Sequence, residues 1–186
     1  RGRNMLDRRS LLAAALIAGG LAAAPAMAQA PVSDPENTIF LDLKDGRVVI
    51  KLRPDIAPKH VAQIKALTKQ GFYNGIVFHR VIEGFMAQTG DPTGTGMGKS
   101  SLPNIPAEFT PTPFKRGTLG MARSSAPDSA NSQFFICFAP ASFLNNQYTV
   151  FGEVVSGMEF VDKIKRGEPP TSPDKIVKMQ LASEAK

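Results

Sequence analysis

Arg80 lies in the run Ile76-Val77-Phe78-His79-Arg80-Val81-Ile82, where His79 is the one other residue that is not apolar. A guanidinium cannot shed its charge, and burying it unpaired is costly. Two chemistries fit such a residue: a structural cation paired with a carboxylate or capping carbonyls, or a permanently charged donor aimed at a substrate. If the run is a strand, alternation places Arg80 on the face of Phe78 and Ile82, and His79 on the face of Val77 and Val81. His79 then reads as a hydrogen-bonded core histidine. His60, in a helical stretch, reads as surface. Phe85-Met86-Ala87-Gln88 sets an aromatic ring, a thioether and an amide within four residues, and Gln133-Phe134-Phe135-Ile136 repeats an amide beside aromatics. Each segment suits a pocket, and each suits plain core packing.

Other chemistries find little support. No Gly-x-Ser-x-Gly elbow is present, and Cys137 lies in the apolar run 134–138, where a small buried hydrophobe is the default reading. A single cysteine excludes an internal disulfide and a cysteine-based metal cluster, and two histidines exclude a His-rich metal site. Paired carboxylates are missing from the motif-like segments. Gly94-Thr95-Gly96-Met97-Gly98-Lys99-Ser100 invites a phosphate-loop reading but fails on spacing, and no apolar helix follows it.

The elements that must position these residues read as mainly β. The chain has 186 residues, 42% hydrophobic and 20% charged, which suits one globular domain with its own core. Residues 38–43 and 48–52, joined by Lys44-Asp45-Gly46, form a hairpin pattern. Residues 54–71 carry Pro58, Val61, Ile64 and Leu67 at spacings of three and end on Gly71, the pattern of an amphipathic helix. Strands are predicted over 75–82, 85–89, 117–122, 133–138, 150–155 and 175–182, with a short helix over 157–165. Residues 90–113, rich in Gly, Pro and Thr, read as a long structured loop, a feature that is usually functional. Many short strands with two helices indicate a closed antiparallel sheet capped by helices.

The amino-terminal stretch reads differently. Arg8-Arg9 precedes an apolar run from residue 11 to 24, followed by Ala26 and Ala28 before Gln29, the pattern of a cleaved signal peptide over residues 1–28. The run is too short for a membrane span, so no stable membrane anchor is expected. The arginine pair and Ala-rich stretch suit twin-arginine export, although basic pairs also precede Sec signals. Residues 29–36 read as an exposed linker and 37–184 as the domain. The formal charge of +6 would suggest nucleic acid as a partner. Removing the leader leaves 158 residues with 18 basic and 15 acidic side chains, a net charge of +3. No basic run exceeds a pair, and no nucleic-acid footprint is expected.

The joint pattern of Phe78-His79-Arg80-Val81-Ile82-x-Gly84-Phe85-Met86-x-Gln88-x-Gly90-Asp91, Gly94-Thr95-Gly96, Ser132-Gln133-Phe134-Phe135-Ile136, Phe143-Leu144 and Val150-Phe151-Gly152 resembles the cyclophilin family of peptidyl-prolyl isomerases. The segments occur in the family's order and spacing across residues 38–182. The resemblance implies a closed eight-stranded antiparallel β-barrel capped by two α-helices, a monomer, and cis/trans isomerisation of X-Pro bonds without cofactor or metal. It assigns the catalytic arginine to Arg80 and the glutamine that holds it to Gln88. It assigns the proline pocket to Phe85, Met86, Phe135 and Leu144, and the neighbouring peptide groove to Gly94, Ala122, Arg123 and Gln133. Phe143 stands where a tryptophan is usual, Tyr148 where a histidine is usual, and Arg123-Ser124 where an Asn-Ala pair is common. These departures look like the bacterial exported, periplasmic branch, and loss of the indole N–H implies weak cyclosporin binding. Proline-containing unfolded or partly folded polypeptides are the implied partners. The alternative is a cyclophilin-fold module that grips proline segments as a chaperone or scaffold with little turnover.

Overall fold

The computed structural model describes residues 31–186. The expected leader and the first two linker residues lie outside the described residues. Residues 31–36 are mostly exposed, and the last of them enter a 3-10 turn, Pro35–Asn37. Residues 32–186 form one unit.

Its frame is a single sheet of eight antiparallel strands: β1 (Thr38–Leu43), β2 (Gly46–Leu52), β3 (Arg80–Ile82), β4 (Met86–Thr89), β5 (Thr118–Met121), β6 (Phe134–Cys137), β7 (Val150–Ser156) and β8 (Lys178–Leu181). They are ordered β3-β4-β6-β5-β7-β2-β1-β8. The expected strand count is met, but closure is not. β3 and β8 are the two edges, so the sheet is an open half-barrel rather than a closed barrel. Between the edges run residues 167–177, which form no ladder with the β3 side but only isolated bridges, Val81↔Gly167 and Val77↔Lys175, and scattered hydrogen bonds. Pro169, Pro170 and Pro173 lie in this segment. A proline has no N–H to give a ladder, so the segment cannot become the strand that would close the sheet.

Two helices accompany the sheet. In α1 (Pro58–Lys69), Pro58 occupies the first turn, and Val61, Ile64 and Leu67 are buried at the predicted spacing. His60 is buried with them, contrary to the surface expectation. Its Nδ1 lies 2.6 Å from Glu108 Oε2, and the Glu108 carboxylate also accepts the backbone N–H groups of Lys59 and His60 at 3.0 and 3.1 Å. A carboxylate from the long loop thus caps a helix that supplies no capping side chain of its own. Burial pushes the His60 pKa down against the opposing pull of Glu108. The second helix, α2 (Met158–Val161), is a single turn, shorter than its apolar pattern implied.

The sheet buries apolar residues on both faces. On one side Ile39, Leu41, Ile50, Phe134, Ile136 and Phe151 join the main core beneath α1. On the other, a smaller cluster gathers Met86, Phe114, Phe135, Cys137, Leu144 and Val150. Alternation along β4 and β6 produces this division: Ala87, Phe134 and Ile136 face the main core while Met86, Phe135 and Cys137 face the second.

The strand expected over 75–82 is regular only from Arg80. Phe78 and Val81 both enter the main core, so Phe78 does not share the face of Arg80. The alternation rule fails here because the residues before Arg80 are not in a continuous strand.

Candidate active site

Strand register assembles the site. On β3, Arg80 stands opposite Gln88 of β4; Gln88 stands opposite Phe135 of β6; Phe135 stands opposite Gly120 of β5. The four residues form one row across four strands, over the second apolar cluster. Gly120 is needed there. A Cβ on it would lie 2.6 Å from Phe114 Cε1 and would strike the Phe135 ring. With no side chain at 120, Phe135 lies across the strand, stacked on Phe114 at 5.8 Å between centroids and edge-on to Tyr148 at 6.1 Å.

Arg80, Gln88 and Phe135 of this row line a cavity of about 130 Å³ together with Phe85, Met86, Leu144 and Tyr148. Ala122 and Arg123 complete its wall. Met86, Phe135 and Leu144 are buried, whereas the Arg80 side chain remains 46% exposed. Rigid apolar walls beside an accessible cation form a site that can seat a small ring and donate hydrogen bonds at its edge. Phe143 lies outside the cavity lining, at its rim, 64% exposed, with its ring 5.3 Å from that of Phe85.

The hydrogen bonds correct one expectation. Gln88 does not hold Arg80: its Nε2 donates to Gln133 Oε1 at 2.9 Å. Arg80 is held by Glu168, with Nε donating to Oε1 at 3.0 Å. Paired hydrogen bonds of 2.8 Å between Val81 and Gly167 set Glu168 directly beside Arg80. Sequence reasoning missed Glu168, since nothing in Gly167-Glu168-Pro169-Pro170 marks it as a partner of a residue on β3.

Gln133 continues the network. Its Nε2 donates to the carbonyls of Gly96 and Gly98 at 3.0 and 2.9 Å. Those glycines belong to a loop wound round Asp91, whose carboxylate accepts Thr93 N–H and Thr93 Oγ1 at 2.8 Å and Gly96 N–H at 2.6 Å. Burial alone would raise the Asp91 pKa, but hydrogen bonds from the Gly98, Thr93 and Gly96 backbone and the Thr93 hydroxyl outweigh it and bring it to about 2. Beside the first cavity, across Gln88, Ala122 and Arg123, lies a second of about 340 Å³ that extends over Gly96, Lys99 and Gln133.

Gly94 is not brought to either cavity. It lines a separate one, with Phe72, Val77 and Asp91 among its walls, so its expected place in the peptide groove is not met. Cys137 is buried and its thiol is pushed up to about 12 by burial, which leaves it no nucleophile. His79 is buried with Nδ1 lacking a partner among the described residues. Among the described residues no cluster of three His, Cys, Asp or Glu side chains could hold a metal ion, and no helix is long and apolar enough to cross a membrane.

Comparison with known proteins bears on this geometry. Residues 38–181 match the family model described as cyclophilin type peptidyl-prolyl cis-trans isomerase/CLD. A probable peptidyl-prolyl cis-trans isomerase of Brucella suis is 53% identical over 195 residues, covering 96% of this chain and 98% of its own. A peptidyl-prolyl cis-trans isomerase of Helicobacter pylori is 42% identical over 127 residues, covering 66% of this chain and 77% of its own. Among solved structures, a cyclophilin from Hirschia baltica superposes with a TM-score of 0.76 at 29% identity, covering 82% of this chain and 76% of that one. A cyclophilin type isomerase of Cryptosporidium parvum, crystallised in the presence of the dipeptide Ala-Pro, superposes with a TM-score of 0.72 at 30% identity, covering 77% of this chain and 98% of that one. A family match over the whole sheet, and a relative aligned nearly end to end, establish that the chain belongs to the cyclophilin-type peptidyl-prolyl cis-trans isomerases.

Proposed function

We propose that Arg80 is the catalytic donor of this isomerase and that the cavity beside it, walled by Phe85, Met86, Phe135 and Leu144, holds the proline ring of a polypeptide substrate. The observation that carries the proposal is the row Arg80–Gln88–Phe135–Gly120, which sets a permanent cation in the wall of a small cavity beside Phe85, Met86, Phe135 and Leu144. Rotation about a peptide bond is opposed by a resonance barrier of about 18–20 kcal/mol, and X-Pro is the bond whose cis and trans forms differ by only about 1 kcal/mol. In the twisted transition state conjugation is lost and the proline nitrogen becomes pyramidal and basic. A guanidinium near that nitrogen or the proline carbonyl stabilises this state more than the planar one, which is the condition for catalysis. Nothing has to be deprotonated, so the reaction needs neither cofactor nor metal.

An acceleration of about 10⁴-fold requires about 5.5 kcal/mol of differential stabilisation. Seating the ring alone does not supply it, because an apolar pocket binds ground and transition states nearly alike. The pocket of Phe85, Met86, Phe135 and Leu144 instead fixes the ring while the acyl side turns, and it excludes water that would weaken the field of Arg80. Exchange NMR on an X-Pro peptide tests these roles. Arg80→Ala is expected to lower the exchange rate by at least 100-fold while the chemical shifts of the main core stay in place. Equal rates in both proteins would remove Arg80 from the mechanism, and peptide binding without acceleration by the unmodified protein would mark a scaffold instead.

The leader pattern over residues 1–28 supports a protein of the exported, periplasmic branch, acting on polypeptides that fold after export, and the family resemblance implies a monomer. Fractionation of the native cells tests this: the protein is expected in the periplasm, shortened by about 28 residues. Full-length protein confined to the cytoplasm would overturn it.

A further inference from the structure

Arg123 stands at the corner shared by the proline cavity and its larger neighbour, and lines both. Its guanidinium is held by neutral acceptors alone. Nε and Nη2 donate to the Gln147 carbonyl at 3.2 and 2.6 Å, and Nη1 donates to the Ser124 and Ser125 carbonyls at 2.9 and 3.4 Å. The group lies over the Tyr148 ring at 4.6 Å and over Phe109 at 5.6 Å, which fixes its plane. Among the described residues, no carboxylate forms an ion pair with it. Lys99, across the larger cavity, bonds only the neutral Asn104 Oδ1 at 3.4 Å.

Among the described residues, no aspartate or glutamate lines either cavity. Asp91 is engaged by its own loop, Asp128 accepts the Ala107 N–H, and Glu108 bonds His60, so none of the three pairs with Arg123 or Lys99. Arg80 is already paired with Glu168. The larger cavity is therefore lined by two cationic side chains that have no ion-pair partner among the described residues, one of them immobilised. An immobilised guanidinium with no carboxylate is poised for a charge-assisted hydrogen bond to one, at less ordering cost than a free side chain would bear.

We infer that Arg123, with Lys99, makes this isomerase select X-Pro segments that carry an acidic side chain within three residues of the proline. The reach follows from the shared wall. A peptide leaving the proline cavity passes Arg123 at once, and an extended chain advances about 3.3–3.6 Å per residue. The inference rests on the proline-binding reading of the smaller cavity.

The test uses the full chain and a set of X-Pro peptides in which one Glu is moved from the third residue before the proline to the third after it, each paired with a Gln control. At low ionic strength at least one Glu position is expected to raise kcat/KM about threefold over its control, the scale of a partly exposed ion pair. Raising the salt to about 0.15 M, where the Debye length is about 8 Å, should shrink the ratio. The ratio should fall with Lys99→Gln and reach one with Arg123→Gln combined with it; because each ratio is taken within one protein, a change in its overall activity does not enter. Ratios of one at every position, with both peptides isomerised, would overturn the inference and leave the isomerase reading standing. So would a ratio that the double variant leaves unchanged. Failure to isomerise any peptide would overturn the reading beneath it and the inference with it.

Discussion

Arg80 and Glu168 meet through a single contact, Nε to Oε1 at 3.0 Å, which is the only hydrogen bond to the Arg80 side chain among the described residues. Gripping the guanidinium by Nε leaves both terminal nitrogens for a substrate. Glu168 is thus a positioning residue, and its loss should cost order in the arginine rather than charge. Glu168→Ala is expected to lower kcat two- to fivefold with little change in KM, consistent with a pair whose side chains are 46% and 56% exposed. Glu168→Gln, which keeps an Oε1 acceptor, should recover most of the rate. A rise in kcat in Glu168→Ala would show that the carboxylate competes with substrate instead.

Gly120 supports the site by having no side chain. Its Cβ position is already filled by the rings of Phe135 and Phe114, so Gly120→Ala must displace a wall of the proline cavity. Overpacking of this kind costs about 1–3 kcal/mol. Chemical denaturation should register that loss, and KM for a proline peptide should rise at least threefold. Unchanged stability and KM would mean that Phe135 can retreat at no cost, against its contacts with both Phe114 and Tyr148.

Phe143 offers a change without a penalty to the fold. The ring is 64% exposed at the rim beside Phe85, and the family resemblance implies that it replaces a tryptophan whose indole N–H would bind cyclosporin. Phe143→Trp restores an indole donor at a wet edge, where one hydrogen bond contributes about 1 kcal/mol. Inhibition by cyclosporin is expected to strengthen about fivefold while peptide turnover is kept. An unchanged inhibition constant would show that the residue at position 143 does not set cyclosporin affinity in this protein.

The resemblance to a known family, rather than local pattern, assigns Arg80, Phe85, Met86, Phe135 and Leu144 to the site; local pattern leaves the same segments open between pocket and core. Arg80, Phe85, Met86 and Gln88 do lie within nine residues on one hairpin, but alternation fails before Arg80, where Phe78 enters the main core. Glu168 lies 88 residues from Arg80 and arrives through a bridge at Gly167, for which no local signal exists. His60 was misread for the same reason, because its burial depends on Glu108, 48 residues away, closing over the start of α1. The eight strands were legible from their apolar patterns, but whether a sheet closes is decided at its two edges. There the pairing of β3 and β8 was lost to a proline-rich segment that pattern alone did not mark.

Asp91 carries the pH dependence that these contacts imply. Its pKa, about 2 in the folded chain against an ordinary 3.8, means that folding favours the ionised form. A depressed carboxylate stabilises the fold above its unfolded pKa, and that contribution disappears as pH falls through the folded value. The difference corresponds to about 2 kcal/mol at neutral pH. Asp91→Asn keeps the shape but removes the charge that gathers Thr93, Gly96 and Gly98. Denaturation of both proteins should show the variant less stable by about 2 kcal/mol from pH 5 to 7, with the gap closing between about pH 4 and pH 1.5. Other carboxylates titrate in the same window, so the informative quantity is the difference between the two proteins. Because the loop supplies both carbonyls that orient Gln133, the variant should also lose peptide affinity at pH 7, where Asp91 is fully ionised in the native protein. A stability gap that does not change with pH would show that the loop is held by shape alone, and that the Asp91 charge does not organise the groove.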